Sequence, residues 1–282
     1  MELRADIYRR YASVFSCAFF AKLLQTSDLS YIRKSYSENI SPRHINTCLD
    51  FIIYMYSQLC KNYRCEYIYK NALVNYALEN HKKSNSAVIF NEFKVGSSVA
   101  DIAIFNGESI AYEIKTELDS EQRITTQLSD YKKLFDKVYV VTYENIVEKY
   151  EKFDSDIGLL TLSGKGKNLK LNCVRDAKET HILDVEILMK ALHTVEYKNL
   201  VTKHIGKLPD VSAFNMYNEC LRLMKQIPVN ELKTSAITEI KKRKRDISIC
   251  ARFKKELRHI GAGLNLDIVS YNNLVTILEG EL

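Results

Sequence analysis

The chain has 282 residues, of which 46% are hydrophobic and 27% are charged. This composition is typical of a globular protein with a core, and it excludes a chain that is disordered along its length. The 41 basic and 35 acidic residues give a formal net charge of +6, which permits binding to nucleic acid without requiring it. The length predicts one or two domains.

The first 24 residues place arginines ahead of an apolar run, as a signal peptide does. Glu2 and Asp6 interrupt that pattern and no small-residue cleavage site follows, so we predict an amphipathic first helix instead. The longest apolar stretch, residues 11–24, is too short to span a membrane. The seven cysteines are scattered and form no CxxC pair. We therefore expect a cytoplasmic protein with reduced thiols and no membrane contact.

The predicted secondary structure changes twice along the chain. Up to about residue 85, apolar residues recur at spacings of three and four, which predicts helices, with a break at Ser41-Pro42. Helical spacing returns from Asp184. Between these regions the pattern predicts four strands at 87–95, 99–105, 109–115 and 137–143, with a helix from about 121 to 135 before the fourth. A hairpin of 158–163 with 168–174 is expected to follow. This order predicts a mixed α/β core between helical flanks, with divisions at 1–65, 66–180 and 181–282.

Asn106-Gly107 is a strong hairpin signal, and the length of its loop decides which side chains share a face. A two-residue loop would pair Phe105 with Glu108. A three-residue loop, 106–108, would pair Phe105 with Ser109 and place Asp101 opposite Glu113. We predict the second register, with Gly107 in a left-handed conformation, because it makes one face wholly apolar. That face would contain Ile102, Ile104, Ile110, Tyr112 and Ile114.

The other face of this hairpin carries the chemistry. Directly opposed carboxylates repel each other unless a cation bridges them, and carboxylate oxygens suit Mg²⁺ or Mn²⁺. Lys115 lies two residues beyond Glu113 and so shares its face. A lysine beside two metal-bound acids suits phosphodiester hydrolysis. The alternative is an exposed sheet face with a cross-strand ion pair.

Asp101, the Asn106-Gly107 turn and Glu113-Ile114-Lys115 together resemble the hairpin of the PD-(D/E)XK nuclease superfamily, with Ala100 where that motif has proline. The segment QLSDY, residues 127–131, resembles the QxxxY element of RecB-like nucleases. Residues 91–142 resemble the sce7726 family of bacterial proteins, which is assigned to this superfamily, and the similarity extends over most of the chain after about residue 60. The resemblance implies a restriction-endonuclease-like core of order αβββαβ.

The resemblance also implies roles for individual residues. Asp101, Glu113 and Lys115 would be catalytic. Asp101 and Glu113 would bind Mg²⁺ or Mn²⁺, with the backbone carbonyl of Ile114 as a further ligand. Lys115 would position the attacking water and stabilise the charged transition state.

Further side chains are expected around this centre, namely one more acid and the pair Gln127 and Tyr131. The superfamily often adds an acid from a helix before the first strand, and Glu79 fits that place, with Glu92 of the first strand as its competitor. Gln127 and Tyr131 are four residues apart, so they lie on one helix face and would place the substrate backbone. An ordinary surface role for these residues stays open.

The densest basic run consists of Lys241, Lys242, Arg243, Lys244 and Arg245. We predict a phosphate-binding stripe, with a solvated helix face as the alternative. The segment SGKGKN, 163–168, lacks the Walker spacing and is predicted to be a turn.

We expect a metal-dependent nuclease that acts on nucleic acid, with DNA as the first choice. An RNase and a non-catalytic binding or interaction module stay as alternatives. A homodimer or a protein partner is left open. A role in genome defence or mobile-element biology follows from the resemblance alone.

Overall fold

A computed structural model of the chain describes residues 2–38, 45–80, 87–117, 119–120, 122–244 and 247–282. The strands are β1 (Val88–Val95), β2 (Ser98–Asn106), β3 (Glu108–Lys115), β4 (Lys137–Tyr143), β5 (Gly158–Ser163) and β6 (Lys170–Arg175). The helices are α1 (Glu2–Val14), α2 (Cys17–Thr26), α3 (Ser30–Ser37), α4 (Cys48–Asn62), α5 (Glu66–Asn80), α6 (Ile124–Lys132), α7 (Glu148–Glu151), α8 (Val185–Ala191), α9 (Thr194–Ile205), α10 (Ala213–Met224), α11 (Val229–Lys241), α12 (Ser248–Arg252), α13 (Arg258–Leu264) and α14 (Ile268–Leu278).

The six strands form one mixed sheet in the order β1-β2-β3-β4-β5-β6. β1 and β2 are antiparallel, as are β2 and β3, whereas β4 runs parallel to β3 and is reached through α6. Helices precede and follow the strands along the chain. The predicted mixed α/β architecture with helical flanks is therefore confirmed.

The structure corrects three predicted elements. The single first helix is two helices, because the Ser16 hydroxyl accepts a hydrogen bond from the backbone N–H of Phe19 at 3.2 Å and starts α2. α6 is shorter than predicted, since the chain turns after Lys132 and buries Phe135 among other aromatic rings. A short 3₁₀ helix and α7 occupy 144–151, which the sequence did not predict. The predicted break at Ser41-Pro42 lies outside the described residues.

The register of the β2–β3 hairpin follows the three-residue loop. Ala103 pairs with Ala111, Ile104 with Ile110, and Phe105 with Ser109, so the two-residue alternative is wrong. Gly107 has a φ of 78°, as the predicted left-handed conformation requires. The five residues of the predicted apolar face are all buried, and this register puts Asp101 and Glu113 on the opposite face.

The chain forms two compact units. Unit 1 contains Met1–Lys82, Leu162–Asn172 and Ile247–Leu282, and unit 2 contains Lys83–Thr161 and Cys173–Asp246. The predicted divisions are linear segments, whereas each unit is assembled from separate segments. Within the described parts of the chain, no helix is both long and apolar enough to cross a membrane.

His259 lies on α13 in unit 1 and is 7% exposed. Neither of its ring nitrogens has a hydrogen-bond partner among the described residues, and its ring meets the edge of Tyr67 at 5.5 Å. Burial, and then the nearby charge of Lys70, lowers its pKa from 6.5 to about 3. The histidine is therefore neutral in the folded protein at physiological pH.

We expect the free energy of unfolding to fall as the pH falls from 6.5 towards 3, by up to about 1.4 kcal/mol per pH unit from this residue alone. Between these two pH values His259 is protonated in the unfolded chain but stays neutral in the folded chain. His259→Phe should flatten this slope. Urea denaturation at about pH 7 and about pH 5 measures this pH dependence of the free energy of unfolding. An equal slope in the wild type and the variant would show that His259 does not cause it.

Gly107 offers a test of the hairpin. No atom lies within 4 Å of the place where its Cβ would stand, so a substitution is opposed by backbone strain alone. We expect Gly107→Ala to lower the free energy of unfolding by about 1 kcal/mol. Gly107→Asn should cost less, because asparagine tolerates the left-handed conformation better. Equal losses in urea denaturation would argue against a strained turn.

Candidate active site

Glu113 and Lys115 form an ion pair near the end of strand β3, and both side chains are buried. The carboxylate is 3% exposed and the lysine 7%, and the Lys115 Nζ lies 2.9 Å from the Glu113 Oε1. Two charges removed from water are stable together only if their remaining hydrogen-bonding capacity is also satisfied. The neighbouring helix supplies that capacity.

α6 presents Gln127 and Tyr131 to this pair. The Lys115 ammonium donates to the Gln127 Oε1 at 3.0 Å. The Tyr131 hydroxyl lies 2.7 Å from the Glu113 Oε2 and 2.7 Å from the carbonyl oxygen of Val99. A hydroxyl has one proton, so it donates to one of these two oxygens at a time. The predicted sharing of one helix face by Gln127 and Tyr131 brings both residues onto the Glu113-Lys115 pair.

Asp101 lies beside the same group of side chains. Its Oδ2 accepts a hydrogen bond from the backbone N–H of Ile114 at 2.7 Å, which holds this carboxylate of β2 against β3. Burial raises the pKa of Tyr131 well above its ordinary value, and the charges of Glu113 and then Asp101 raise it further. Both carboxylates therefore act on one tyrosine hydroxyl, which remains protonated at physiological pH.

Two polar contacts that the sequence did not predict hold the site in place. The hydroxyls of Ser97 and Ser98 donate to the Asp130 Oδ2 at 2.9 and 2.8 Å, which fastens α6 to the turn between β1 and β2. The Thr142 hydroxyl donates to the carbonyl oxygen of Lys115 at 2.8 Å. Asp130 lies next to Tyr131 in the QLSDY segment, and its partners Ser97 and Ser98 directly follow Gly96. A glycine followed by two serines indicates a turn, and this is the signal in the sequence that could have indicated the contact.

The donor atoms at this site suit a hard cation, although few of them come from side chains. Asp101 and Glu113 offer carboxylate oxygens, the ligands that Mg²⁺ and Mn²⁺ prefer. In the described part of the chain no group of three or more His, Cys, Asp or Glu side chains could hold a metal ion. A cation here would therefore depend on Asp101 and Glu113, with the Ile114 carbonyl, waters or phosphate oxygens completing the shell. Mg²⁺ commonly keeps several waters in this way.

The structure places the two candidates for a third acid differently. Glu79 lies near the end of α5 in unit 1, where it lines a cavity. Glu92 is exposed in β1 with a φ of 56°, an uncommon conformation for a residue other than glycine. The flanking pairs Asn91↔Ile102 and Phe93↔Ala100 put Glu92 level with Asp101 on the next strand. A metal-binding role for either acid stays a prediction.

The basic run at the end of α11 is divided between two environments. Arg243 is partly buried, its guanidinium bonds both carboxylate oxygens of Glu196, and it donates to the carbonyl oxygen of Ala191 at 2.8 Å. Burial alone would raise the pKa of Glu196, but the hydrogen bonds from Arg243 and from the His193 backbone, together with the charge of Arg243, outweigh it and lower that pKa. Lys242 is exposed and pairs with Glu239 at 2.5 Å. Lys241 and Lys244 are half-buried, and Arg245 lies outside the described residues.

Comparison with known proteins adds three findings. A family model described as "Bacteriophage P4 protein cII" matches residues 60–259, a range that includes the whole candidate site. Protein cII of Enterobacteria phage P4 is 26% identical over 183 residues, and the match spans 63% of this chain and 64% of that relative, less than two thirds of its length. A solved protein of unknown function from Silicibacter pomeroyi is 16% identical, with a TM-score of 0.33 over 52% of this chain and 94% of that chain. That likeness is too weak to support an argument, and none of these descriptions names an activity.

The contacts of Arg243 predict a structural role that Lys242 does not share. We expect Arg243→Gln to lower the free energy of unfolding by about 3 kcal/mol, because it leaves the Glu196 carboxylate buried without its cation. Lys242→Gln removes the same charge from an exposed pair and should leave stability nearly unchanged. Chemical denaturation of both variants measures the difference, and equal stabilities would assign Arg243 to the solvated surface.

Proposed function

We propose that this chain, which belongs to the bacteriophage P4 protein cII family, is a metal-dependent nuclease that hydrolyses phosphodiester bonds, with DNA as its first substrate. The observation that carries the proposal is the buried network of Glu113, Lys115, Gln127 and Tyr131 beside the Asp101 carboxylate. The resemblance of this hairpin and helix to PD-(D/E)XK nucleases of the sce7726 type supports it.

In this proposal Asp101 and Glu113 hold a divalent cation, Mg²⁺ or Mn²⁺. The bound cation would supply charge neutralisation at the phosphate and a more acidic water. The protein's own contribution is to fix the two carboxylates. The Ile114 N–H orients Asp101, and Tyr131 and Lys115 each hold one oxygen of Glu113.

Lys115 is placed to act on the reacting group directly. An ammonium has three protons, one more than the two acceptors Glu113 and Gln127 require. The third proton can be donated to an attacking water or to a phosphate oxygen that gains charge in the transition state. Gln127 limits the rotation of the ammonium, so this donor is oriented before the substrate binds.

Substrate binding is proposed to use Gln127, Tyr131 and the exposed part of the basic run. Lys242 is the exposed member among the described residues of that run, whereas Arg243 contributes to the fold. Action in the bacterial cytoplasm, in genome defence or in mobile-element biology, is part of the proposal and rests on the sce7726 resemblance.

One observation favours a second candidate, a non-catalytic nucleic-acid-binding or interaction module on the same fold. Both oxygens of Glu113 already have protein partners, and the described residues offer no third acid at the site. The same network of hydrogen bonds is also expected in a protein that uses it only to stabilise a binding surface. Cleavage experiments separate the two candidates.

We expect Asp101→Asn and Lys115→Gln each to reduce cleavage by at least about 100-fold in the presence of Mg²⁺ or Mn²⁺. The first change removes a negative ligand, and the second removes the charged donor. The measurement is the cleavage rate on linear duplex, circular duplex and single-stranded DNA and on RNA. Glu148→Gln, an exposed acid on α7, is the matched control and should cleave like the wild type.

Chelation with EDTA should abolish cleavage, and added Mn²⁺ should restore it. Cleavage that survives Asp101→Asn would refute the proposed site. A folded wild type that binds nucleic acid and cleaves none of these substrates would favour the binding module. Cleavage of RNA alone would identify an RNase.

A further inference from the structure

Unit 1 contains a cavity that the candidate active site does not use. Its volume is about 760 Å³, within the range of roughly 300 to 1,000 Å³ that small-molecule sites occupy. The walls come from α4, α5, the segment 165–171 between β5 and β6, and residues 255–258. All of these segments belong to unit 1, so the cavity is a feature of that unit alone.

The charged side chains around the cavity favour an anionic ligand. Among the described residues of its lining, five side chains are cationic and two, Glu79 and Glu256, are acidic. The cations come from three of these four walls and are Lys61, Lys165, Lys170, Lys255 and Arg258. A concave site in which one sign of charge predominates raises the local concentration of ligands of the opposite sign.

Two of these cations are held in position. The Arg258 guanidinium donates to the Asn75 Oδ1 at 2.8 Å, and Asn75 is fixed in turn by its hydrogen bond to the carbonyl oxygen of Lys255 at 3.0 Å. Gly166 has a φ of 58°, and a Cβ on it would stand 3.2 Å from the Lys61 Cγ. The glycine therefore lets the Lys61 stem lie against the loop backbone, with its ammonium at the cavity.

Most of the uncharged lining is aromatic or apolar. Tyr56 and Tyr76 are half-buried and face the cavity from α4 and α5, together with Ile53 and Leu169. Aromatic rings bind flat heterocycles of any base type, because every base has a π-face. Cys60 also lines the cavity, but burial raises its pKa to about 12. Its thiol is therefore not a nucleophile at physiological pH, which favours binding over covalent chemistry.

We propose that this cavity binds a free nucleotide, with its base against Tyr56 and Tyr76 and its phosphate among Lys61, Lys165, Lys170 and Arg258. Lys165 of the SGKGKN segment would thus bind phosphate without the Walker arrangement. The proposal does not depend on the proposed nuclease activity, because the residues of the two sites belong to different units.

Calorimetric titration of the full chain in EDTA tests the proposal. The probes are the four ribonucleoside 5′-monophosphates, the matching nucleosides, and inorganic phosphate. We expect at least one nucleotide to bind at least about tenfold more tightly than its nucleoside and than phosphate, because each of those offers half of the recognised chemistry.

Two variants localise the site. Lys165→Gln with Lys170→Gln should weaken nucleotide binding about tenfold. Lys22→Gln with Lys254→Gln removes the same charge from exposed lysines of unit 1 outside the lining, and it should not weaken binding. Ala72→Phe fills the cavity without a change of charge and should abolish binding. Asp101→Asn should bind like the wild type, which separates this site from the proposed active site.

Several outcomes would overturn the proposal. They are no binding of any of the four nucleotides at about 1 mM, phosphate or nucleoside binding as tight as nucleotide binding, and equal weakening by the two lysine pairs. Binding of a short single-stranded oligonucleotide in the absence of mononucleotide binding would also exclude a free nucleotide as the ligand. Circular dichroism of each variant confirms that the fold is retained before binding is compared.

Discussion

The structure around the candidate site depends on one buried ion pair, between Glu113 and Lys115. Because neither charge is accessible to water, each must be bonded by protein groups, and α6 is the element that provides them. This requirement fixes the rotation of α6 on the sheet, so Gln127 and Tyr131 face β3. The contact of Asp130 with Ser97 and Ser98 then holds the helix against the start of β2.

The register of the hairpin could be predicted from the sequence, because only the three-residue loop places the apolar and the charged side chains on different faces of the sheet. Phe105 pairs with Ser109, as the three-residue loop required, and Gly107 has the left-handed φ that this loop needs. The period of two along each strand then determines the face of Asp101, Glu113 and Lys115. The strands were predicted well for the same reason, since β-branched and aromatic runs between turn signals are local features.

Features that depend on distant partners could not be predicted in this way. Arg243 looked like one member of a basic stripe, but its partner Glu196 lies 47 residues earlier and is known only from the fold. Ser98 and Asp130 are 32 residues apart, and nothing in the sequence indicates that their side chains are in contact. The start of α2 was missed because Ser16 stops one helix and caps the next within a single apolar run.

The segments of unit 1 have a consequence for biosynthesis. Every residue of unit 2 has been translated by Asp246, whereas unit 1 is incomplete until Ile247–Leu282 has followed. α2 packs against α13 and α14, and α5 against α13, so these early helices cannot complete their packing until the later ones have been made. We therefore expect the closure of unit 1 to be slower than the folding of unit 2, because its contacts join segments that lie far apart in the chain.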